Sequence, residues 1–482
     1  MSQLDCYAAT ETDEPGALLA IDTEESLGRQ AFMPGASEFL RDFAHSFQHD
    51  QKHLPGLALV DSTSAMEKAG SSPARARDSA ESSSQNADKE GQGSSTVERE
   101  AIAIEQENSD SKVKAGDSLL VASDIQSLVD KNFGRLDLDG DGFISPKELD
   151  AATVNKDFQG DDARLIAVLK EHRHDLEELS NDEWGPENDG VTRADIAKFS
   201  ELLSKAKPSK SEEHLIDDIN RILRDSQASI GNASRELFAN KDNPIASINP
   251  EAIKQGEIGD CYFLGALAAL ASSPQGKESI KNMIKDNGNG TYTVTFPGAK
   301  DKPVTVEAPT DAELARYAQG SADGTWPAVL EKAYGKYCNA KNIDPHEGIP
   351  DGGSEEMGLE ILTGRSVDTD YLTLTRKETT HRKLAEAMKD GRPVTAGIYG
   401  EIGEGFGLSD GKTDDAGIPS GHLYTIEAYD PATRTLTIRN PWGKGEPTAV
   451  LGMAKDGEND GVFKMSLDEF YKNFSSVSYA EK

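Results

Sequence analysis

The 482-residue chain contains only three cysteines, Cys6, Cys261 and Cys338, and they lie far apart in the sequence. This spacing provides neither a disulfide framework nor the paired cysteines of a structural zinc site. No apolar run reaches the roughly 18 residues that a membrane span needs, and the N-terminal residues MSQLDCYAATETDEPG lack the basic and apolar regions of a conventional signal peptide. We therefore expect a cytoplasmic protein without a membrane span, although this test does not detect a non-standard export signal.

Basic residues are scarce, with 51 lysines and arginines against 85 acidic residues and a formal net charge of −34. Binding to nucleic acid or to an anionic membrane requires a basic face that neutralises phosphates. The composition therefore argues against nucleic acid as a partner. The acidity has two remaining interpretations: it keeps the protein soluble, or part of it belongs to cation-binding loops.

Large apolar side chains are rare in residues 1–117, above all between Ser62 and Ser95. Such a segment cannot bury enough surface to offset the entropy of ordering, so we predict a largely disordered leader. The segment SEFLRDFAHSF is an exception, because its Phe and Leu residues recur at helical spacing. It is either a docked or stray helix, or a motif that occupies a groove or binds a partner.

A calcium loop is predicted in residues 118–205, where apolar residues recur with helical spacing around the sequence DLDGDGFISPKE. The loop has oxygen donors at positions 1, 3, 5, 9 and 12 and a glycine at position 6, the spacing that wraps oxygens around Ca²⁺. The predicted ligands are Asp137, Asp139, Asp141, Ser145, Glu148 and the backbone carbonyl of Phe143. Ile144 stands where a short pairing with a neighbouring loop is expected. The second loop, NDEWGPENDGVTRAD, is irregular and either supports the first loop or binds calcium weakly.

Four regions follow from these patterns: a disordered leader at 1–117, an α-helical EF-hand pair at 118–205, a linker at 206–242 and a mixed α and β region at 243–482. The linker contains an amphipathic helix whose apolar stripe runs from Leu215 to Leu223. The last region has an alanine-rich helix starting near Cys261, a hairpin from TYTVTF to VTVEA, and the helix PAVLEKAYGKY.

The stretch QGEIGDCYFLGALAALA places Cys261 where a helix begins. A helix N-terminus favours the thiolate, which is the nucleophilic form of cysteine. Gln255 lies six residues earlier, and its side-chain NH₂ together with the Cys261 backbone N–H can hold an oxyanion. Taken alone, this cysteine is more typical of a buried, inert residue, so the assignment depends on its partners.

A histidine and an asparagine supply those partners in the segment GHLYTIEAYDPATRTLTIRNPWG, which reads as two strands joined at Asp430–Thr433. A hairpin centred on Pro431 opposes Tyr424 to Ile438, Ile426 to Leu436, Ala428 to Arg434 and His422 to Asn440. A cysteine–histidine pair needs a third group that holds the imidazole in the right tautomer, and asparagine can accept that N–H.

The blocks QGEIGDCYFL, GHLYTIEAYD and RNPWG resemble the three active-site blocks of the calpain family. WPAVLEKAYGKY and DGGSEEMGLEILTGR also resemble segments of that protease core, and the five blocks occur in the family's order across 243–482. The resemblance implies an α+β fold with two papain-like subdomains. It also implies Cys261 as nucleophile, His422 as base, Asn440 as orienting residue, Gln255 as oxyanion donor, Trp442 as a shield of the histidine and Gly352 and Gly353 as a substrate ledge.

Three features depart from the family pattern. Tyr262 follows the cysteine where the family usually has tryptophan, and Ala252 stands where an acidic calcium ligand of the core is expected. The predicted sensor precedes the core, whereas typical calpains carry theirs at the C-terminus. Calcium is therefore expected to act mainly through the Asp137–Glu148 loop.

We expect a calcium-responsive cysteine endopeptidase, a monomer that cleaves protein substrates by limited proteolysis. The alternatives are a transglutaminase-type acyl transferase and a calcium-binding scaffold with an inactive core. The glycine-rich and acidic stretch at 400–421 is either a solvated loop, a lid over the cleft or a second cation site. The leader is an inhibitory, export or partner-binding segment.

Overall fold

The computed structural model describes residues 120–180, 190–399, 418–447 and 458–482, which all belong to one compact unit. The predictions for the leader, for most of the second loop and for most of the 400–421 stretch lie outside these residues. None of the described helices has the length and apolar character that crossing a bilayer requires.

Six helices form the N-terminal half of the described chain. They are α1 (Ile125–Leu136), α2 (Pro146–Thr153), α3 (Asp161–Glu171), α4 (Arg173–Glu177), α5 (Arg193–Leu203) and α6 (Lys210–Asn232). Capping boxes begin α2, α5 and α6, because Ser145, Thr192 and Ser209 each accept the backbone N–H three residues on. His172 separates α3 from α4 and makes ion-pair contacts with Asp175 and Asp218 at 3.0 and 3.1 Å.

The acidic loop between α1 and α2 pairs with the chain just before α5. Ile144 and Val191 form an antiparallel bridge with N–O distances of 2.9 and 3.1 Å, as predicted for Ile144. Gly142 has a φ of 94°, which explains the glycine required at this sharp turn.

Among its described residues, the C-terminal half mixes seven helices with nine strands. The helices are α7 (Cys261–Ala271), α8 (Pro274–Met283), α9 (Asp311–Arg316), α10 (Trp326–Cys338), α11 (Glu355–Thr363), α12 (Lys377–Lys389) and α13 (Leu467–Asn473). The strands are β1 (Ile284–Asp286), β2 (Thr291–Val294), β3 (Val304–Glu307), β4 (Val367–Tyr371), β5 (Val394–Ile398), β6 (His422–Asp430), β7 (Thr435–Arg439), β8 (Val462–Ser466) and β9 (Ser476–Ala480). The predicted hairpin is the pair β2–β3, and the predicted helices are α7 and α10.

The strands form two antiparallel sheets, one in the order β1-β2-β3 and one in the order β4-β9-β5-β6-β7-β8. One hydrophobic core surrounds α7 and α10 and includes Phe263, Trp326 and Tyr334. A second core lies on the six-stranded sheet and includes Tyr424 and Phe470. The predicted mixture of helix and sheet is therefore observed, with two separate cores.

Helix α9 enters the core of the helical half, where Ala312 and Ala315 pack with Ile219 and Leu223 of α6. Hydrogen bonds seal this junction: Thr310 Oγ1 donates to the Thr153 carbonyl at 2.6 Å. Because these side chains are buried between both halves, the helical region and the α/β region share one packed interface.

The register predicted for the β6–β7 hairpin is wrong. Ile426 lies opposite Ile438 and not opposite Leu436, and the register shifts again between Ile426 and Ala428. The loop occupies residues 431–434, with Arg434 at a φ of 54°. The bulge turns the larger Tyr429 ring inward opposite Leu436 and leaves Ala428 exposed. A symmetric turn cannot reveal such an inserted residue.

Candidate active site

The predicted nucleophile is the first residue of α7, a helix that is buried along its whole length. The backbone carbonyl of Asp260 accepts the N–H groups of Phe263 and Leu264 at 2.8 and 3.0 Å, which starts the first turn. Cys261 is itself 4% exposed. Burial raises the pKa of its thiol to about 12; the Leu423 N–H, which hydrogen-bonds to the sulfur, opposes this effect, and Asp260 adds to it. In this arrangement burial raises the pKa of the thiol by more than the helix N-terminus lowers it, so the thiol is neutral.

Strand β6 lies across α7 and brings the predicted base to the cysteine. Thr425 Oγ1 donates to the Gly265 carbonyl at 2.6 Å, and the Leu423 side chain packs against Gly265. A Cβ on that glycine would lie 2.8 Å from the Leu423 side chain, so glycine permits the close approach of strand and helix. His422 begins this strand, next to the residue whose N–H contacts the thiol.

His422 and Asn440 form a buried hydrogen bond of 2.9 Å between Nε2 and Oδ1. The Trp442 backbone N–H donates to the same Oδ1 at 3.0 Å, which fixes the orientation of the amide. His422 Nε2 therefore carries the hydrogen, and Nδ1 is the basic nitrogen. Burial lowers the pKa of His422 to about 4, with the Asn440 hydrogen bond acting in the opposite direction. Both the imidazole and the thiol are neutral at pH 7.

Aromatic rings enclose the imidazole. The Trp442 ring lies 4.5 Å from it, measured between centroids, and Tyr424 presents its edge at 5.0 Å. Asn440 is fully buried, and its backbone N–H donates to Gly461 at 2.9 Å. The predicted shield residue thus contacts the histidine, and the enclosure protects the hydrogen bond from water.

Gln255 is joined to the segment that follows β7 and carries Asn440, because its backbone N–H donates to the Pro441 carbonyl at 2.8 Å. Its Nε2 donates to the Ile258 carbonyl at 2.7 Å, so one of the two amide hydrogens is held by the loop before Cys261. The side chain is buried, and its Nε2 has a second hydrogen that it can donate.

The two glycines of the predicted ledge pack against the start of α7. The Gly352 N–H donates to the Gly259 carbonyl at 2.9 Å, and Gly352 has a φ of 81°. A Cβ on Gly353 would lie 2.8 Å from the ring of Tyr262. The tyrosine that replaces the family's tryptophan therefore supports this glycine segment, and its hydroxyl donates to the Pro350 carbonyl at 3.3 Å.

Sequence reasoning missed two buried acids beside the nucleophile. Asp260 and Glu331 are both fully buried, and the two carboxyl groups interact with each other. Two signals were available, the aspartate inside QGEIGDCYFL and the glutamate on the apolar face of α10, and neither by itself indicates a contact.

The acidic loop lies in the helical half, and several of its oxygen atoms lie close to one another. One carboxylate oxygen each from Asp137, Asp139 and Asp141 lies within 4.8 Å of the others. The Glu148 carboxylate reaches back across the loop, where Oε1 accepts the Leu138 N–H at 2.6 Å. Its Oε2 accepts the Ser145 N–H and hydroxyl, both at 2.8 Å. The donor set consists of oxygens throughout, which suits a hard cation such as Ca²⁺.

A family model described as "Calpain family cysteine protease" matches residues 232–481, just over half of the chain. Calpain clp-4 of Caenorhabditis elegans is 30% identical over 50% of this chain and 36% of its own length. Human calpain-9 is 24% identical over 50% of this chain and 38% of its own length. Maize calpain-type cysteine protease DEK1 is 25% identical over 48% of this chain and 11% of its own length. The chain thus spans little more than a third of the two calpain relatives. With its cysteine, histidine and asparagine gathered at one helix start, this chain belongs to the calpain family of cysteine proteases.

Proposed function

We propose that the protein is a calcium-responsive cysteine endopeptidase that uses Cys261, His422 and Asn440. One observation carries the proposal. His422, which forms a hydrogen bond with Asn440, begins strand β6, and the next residue of that strand, Leu423, donates its N–H to the Cys261 sulfur. Protein substrates follow from the family, and we propose limited cleavage of exposed segments.

The reaction begins when the Cys261 thiol gives its proton to His422 Nδ1 and the sulfur attacks the carbonyl carbon of a peptide bond. The Cys261 N–H and the remaining Gln255 amide hydrogen hold the oxyanion. The C–N bond then breaks, the imidazolium proton passes to the leaving amine, and a thioester remains. Water attacks the thioester after giving a proton to His422, and cleavage of the C–S bond releases the acid and regenerates the thiol.

The neutral thiol and imidazole imply that the described arrangement is a resting state. Formation of an ion pair between the Cys261 thiolate and the His422 imidazolium requires water or polar groups of the substrate to enter the site, because burial disfavours both charged forms. A conformational change that admits them is therefore a natural point of control.

Calcium binding is assigned to the Asp137–Glu148 loop of a proposed EF-hand pair, with Asp137, Asp139, Asp141, Phe143, Ser145 and Glu148 as ligands. The oxygen donor set and the bridge from Ile144 to Val191 support this assignment. Bound calcium would neutralise the loop's carboxylates. It would also engage Glu148, which now accepts the N–H groups of the loop. A coupling of about 1–3 kcal/mol to catalysis corresponds to a roughly 5- to 150-fold effect.

The test is covalent labelling of the full chain by an epoxide or vinyl-sulfone peptide probe, together with casein cleavage, with calcium or with a chelator. Wild type should be labelled at Cys261 and should cleave casein. Cys261→Ala should do neither, while the matched Cys338→Ala, which removes a second free thiol of the same region, should do both.

Two outcomes favour the alternatives. Calcium binding without labelling or cleavage would indicate a scaffold with an inactive core. Incorporation of a fluorescent amine into casein in place of cleavage would indicate an acyl transferase, since an amine can attack the same thioester instead of water.

A further inference from the structure

The residue before the nucleophile is a buried acid that the reaction does not use. Within the described residues, neither carboxyl oxygen of Asp260 meets an N–H or hydroxyl donor. Burial and the neighbouring Glu331 carboxylate raise the pKa of Asp260 well above its ordinary value. The Asp260 carboxyl group therefore interacts with Glu331, and Asp260 directly precedes Cys261 in the chain.

Glu331 in turn contacts a backbone N–H and an imidazole. Its Oε2 accepts the Ala318 N–H at 2.8 Å and lies 3.4 Å from His346 Nε2. The other ring nitrogen of His346 lies 3.1 Å from Asp344 Oδ1. Burial lowers the pKa of His346, but the hydrogen bonds to Asp344 and Glu331 outweigh burial and raise the pKa to about 9. The imidazole is thus cationic at pH 7 and bridges two acids.

Lys170 is the last member of this series, and it lies outside residues 232–481, which the family model matches. It lies on α3, is 7% exposed, and its Nζ contacts Asp344. It also lies 3.0 Å from Asp150 and 2.8 Å from Glu347. Asp150 stands two residues after Glu148 on α2, so the lysine also contacts the helix that follows the acidic loop.

We propose that Lys170 is a positioning residue for the nucleophile. It completes a buried series of charges and hydrogen bonds, here called the charge chain, that ends beside Cys261. The charge chain consists of Lys170, Asp344, His346, Glu331 and Asp260. This inference rests on the proposed protease function.

The charges around Lys170 explain why replacing this lysine should affect the Cys261 thiol. Three carboxylates face Lys170 Nζ, and Asp344 among them is fully buried. Removing one partner of a buried ion pair is far more costly than losing a surface pair, and without Lys170 the His346 imidazolium would have to compensate Asp344 as well as Glu331. Loss of the cation would make the interior that the series from Lys170 to Asp260 crosses more negative. A more negative interior raises the pKa of the thiol.

The test compares full-length Lys170→Met with Arg164→Met in a background that also carries Cys6→Ala and Cys338→Ala. Arg164 is a matched control because it lies on the same helix and also has a largely buried side chain, but it donates to the Leu223 carbonyl and pairs with Asp161 within the helical half. The readouts are the pH profile of iodoacetamide alkylation at Cys261, and kcat and KM on a peptide substrate. Circular dichroism checks folding.

Lys170→Met should displace the alkylation profile upward by about 0.5 unit, which is about threefold slower alkylation at a given pH. It should lower kcat more than it changes KM, and Lys170→Arg should restore both. If Lys170→Met does not fold, Lys170→Gln takes its place in the comparison, because it keeps a hydrogen-bond donor for Asp344. Lys170→Gln should show the same upward shift of the alkylation profile. Equal profiles for the Lys170 and Arg164 variants, or a wild-type profile for Lys170→Met, would overturn the proposal. Absence of any cleavage by the parent enzyme would instead refute the proposed function.

Discussion

The Trp442 N–H and His422 Nε2 converge on one atom, Asn440 Oδ1, at 3.0 and 2.9 Å. The backbone donor fixes which side of the amide faces the histidine, and the amide in turn fixes the tautomer. The basic nitrogen of His422 is thereby defined by a backbone hydrogen bond two residues beyond the asparagine.

Asn440→Ala should lower kcat on the order of 10²-fold with a smaller effect on KM, because it frees the imidazole and leaves the glycine segment intact. Asn440→Asp is the comparison variant, since it keeps an acceptor for both donors and exchanges Nδ2, which has no hydrogen-bond partner among the described residues, for a carboxylate oxygen that can carry a negative charge. The aspartate should retain far more activity than the alanine. Steady-state kinetics on a peptide substrate decide this, and equal kcat values for Asn440→Ala and wild type would refute the orienting role.

The free enzyme should react with iodoacetamide at a rate that rises about tenfold per unit between pH 7 and pH 9. Burial raises the pKa of Cys261 to about 12 and lowers that of His422 to about 4, so neither group is charged in this interval. The measurement is the second-order alkylation rate in the presence of a chelator, in Cys6→Ala Cys338→Ala protein. A plateau beginning near pH 6 would show that the ion pair exists already in the resting enzyme.

Glu148→Gln should shift the calcium dependence of cleavage to higher concentration, because it removes a charged ligand while keeping size and helix propensity. Full-length protein is required, since α9 fills the core of the helical half with Ala312 and Ala315. Glu201→Gln, an exposed change on α5, is the control. Calcium titrations of activity that coincide for wild type and both variants would place any calcium control outside this loop.

Glu355→Gln should stabilise the protein at pH 8 by up to about 3 kcal/mol and have little effect at pH 4.5. Burial raises the pKa of Glu355 to about 7, although the hydroxyls of Ser476, Ser478 and Tyr399 act in the opposite direction. A raised pKa contributes stability below the unfolded value of 4.5, and this stability is lost as the pH rises through 7. Glutamine remains neutral throughout.

Denaturant unfolding at pH 4.5, 6 and 8 measures this difference, with the adjacent, partly exposed Glu356→Gln as control. A free-energy difference between Glu355→Gln and wild type that does not change with pH would show that Glu355 does not titrate in this interval.

The strongly patterned segments could be predicted from the sequence. The apolar stripe of α1, the alanine-rich α7 and the hairpin β2–β3 follow from periodicity, because each pattern has a single way to bury its apolar face. The glycine of the acidic loop and the pairing of Ile144 were also readable, since a left-handed turn and a loop bridge depend on a few neighbouring residues.

The exact pairing of β6 and β7 was not readable, because the bulge at Glu427 changes the register without changing the composition of either strand. His422 nevertheless reaches Asn440 although the two are not opposed in the ladder. Their contact depends on the chain turning after Arg439 and on the Gly461 carbonyl that holds the Asn440 N–H.

The sequence by itself determined the kinds of side chains available for chemistry and the local elements that carry them. The tertiary structure alone decided their charge states, because a pKa depends on burial and on neighbours that are distant in the sequence. Cys261 and His422 are neutral here because α7 and β6 bury each other. The pKa of Asp260 is raised well above its ordinary value because folding buries the group and brings Glu331, 71 residues later in the numbering, against it. No local pattern encodes such a meeting, since it arises only when the helices α7 and α10 pack into one core.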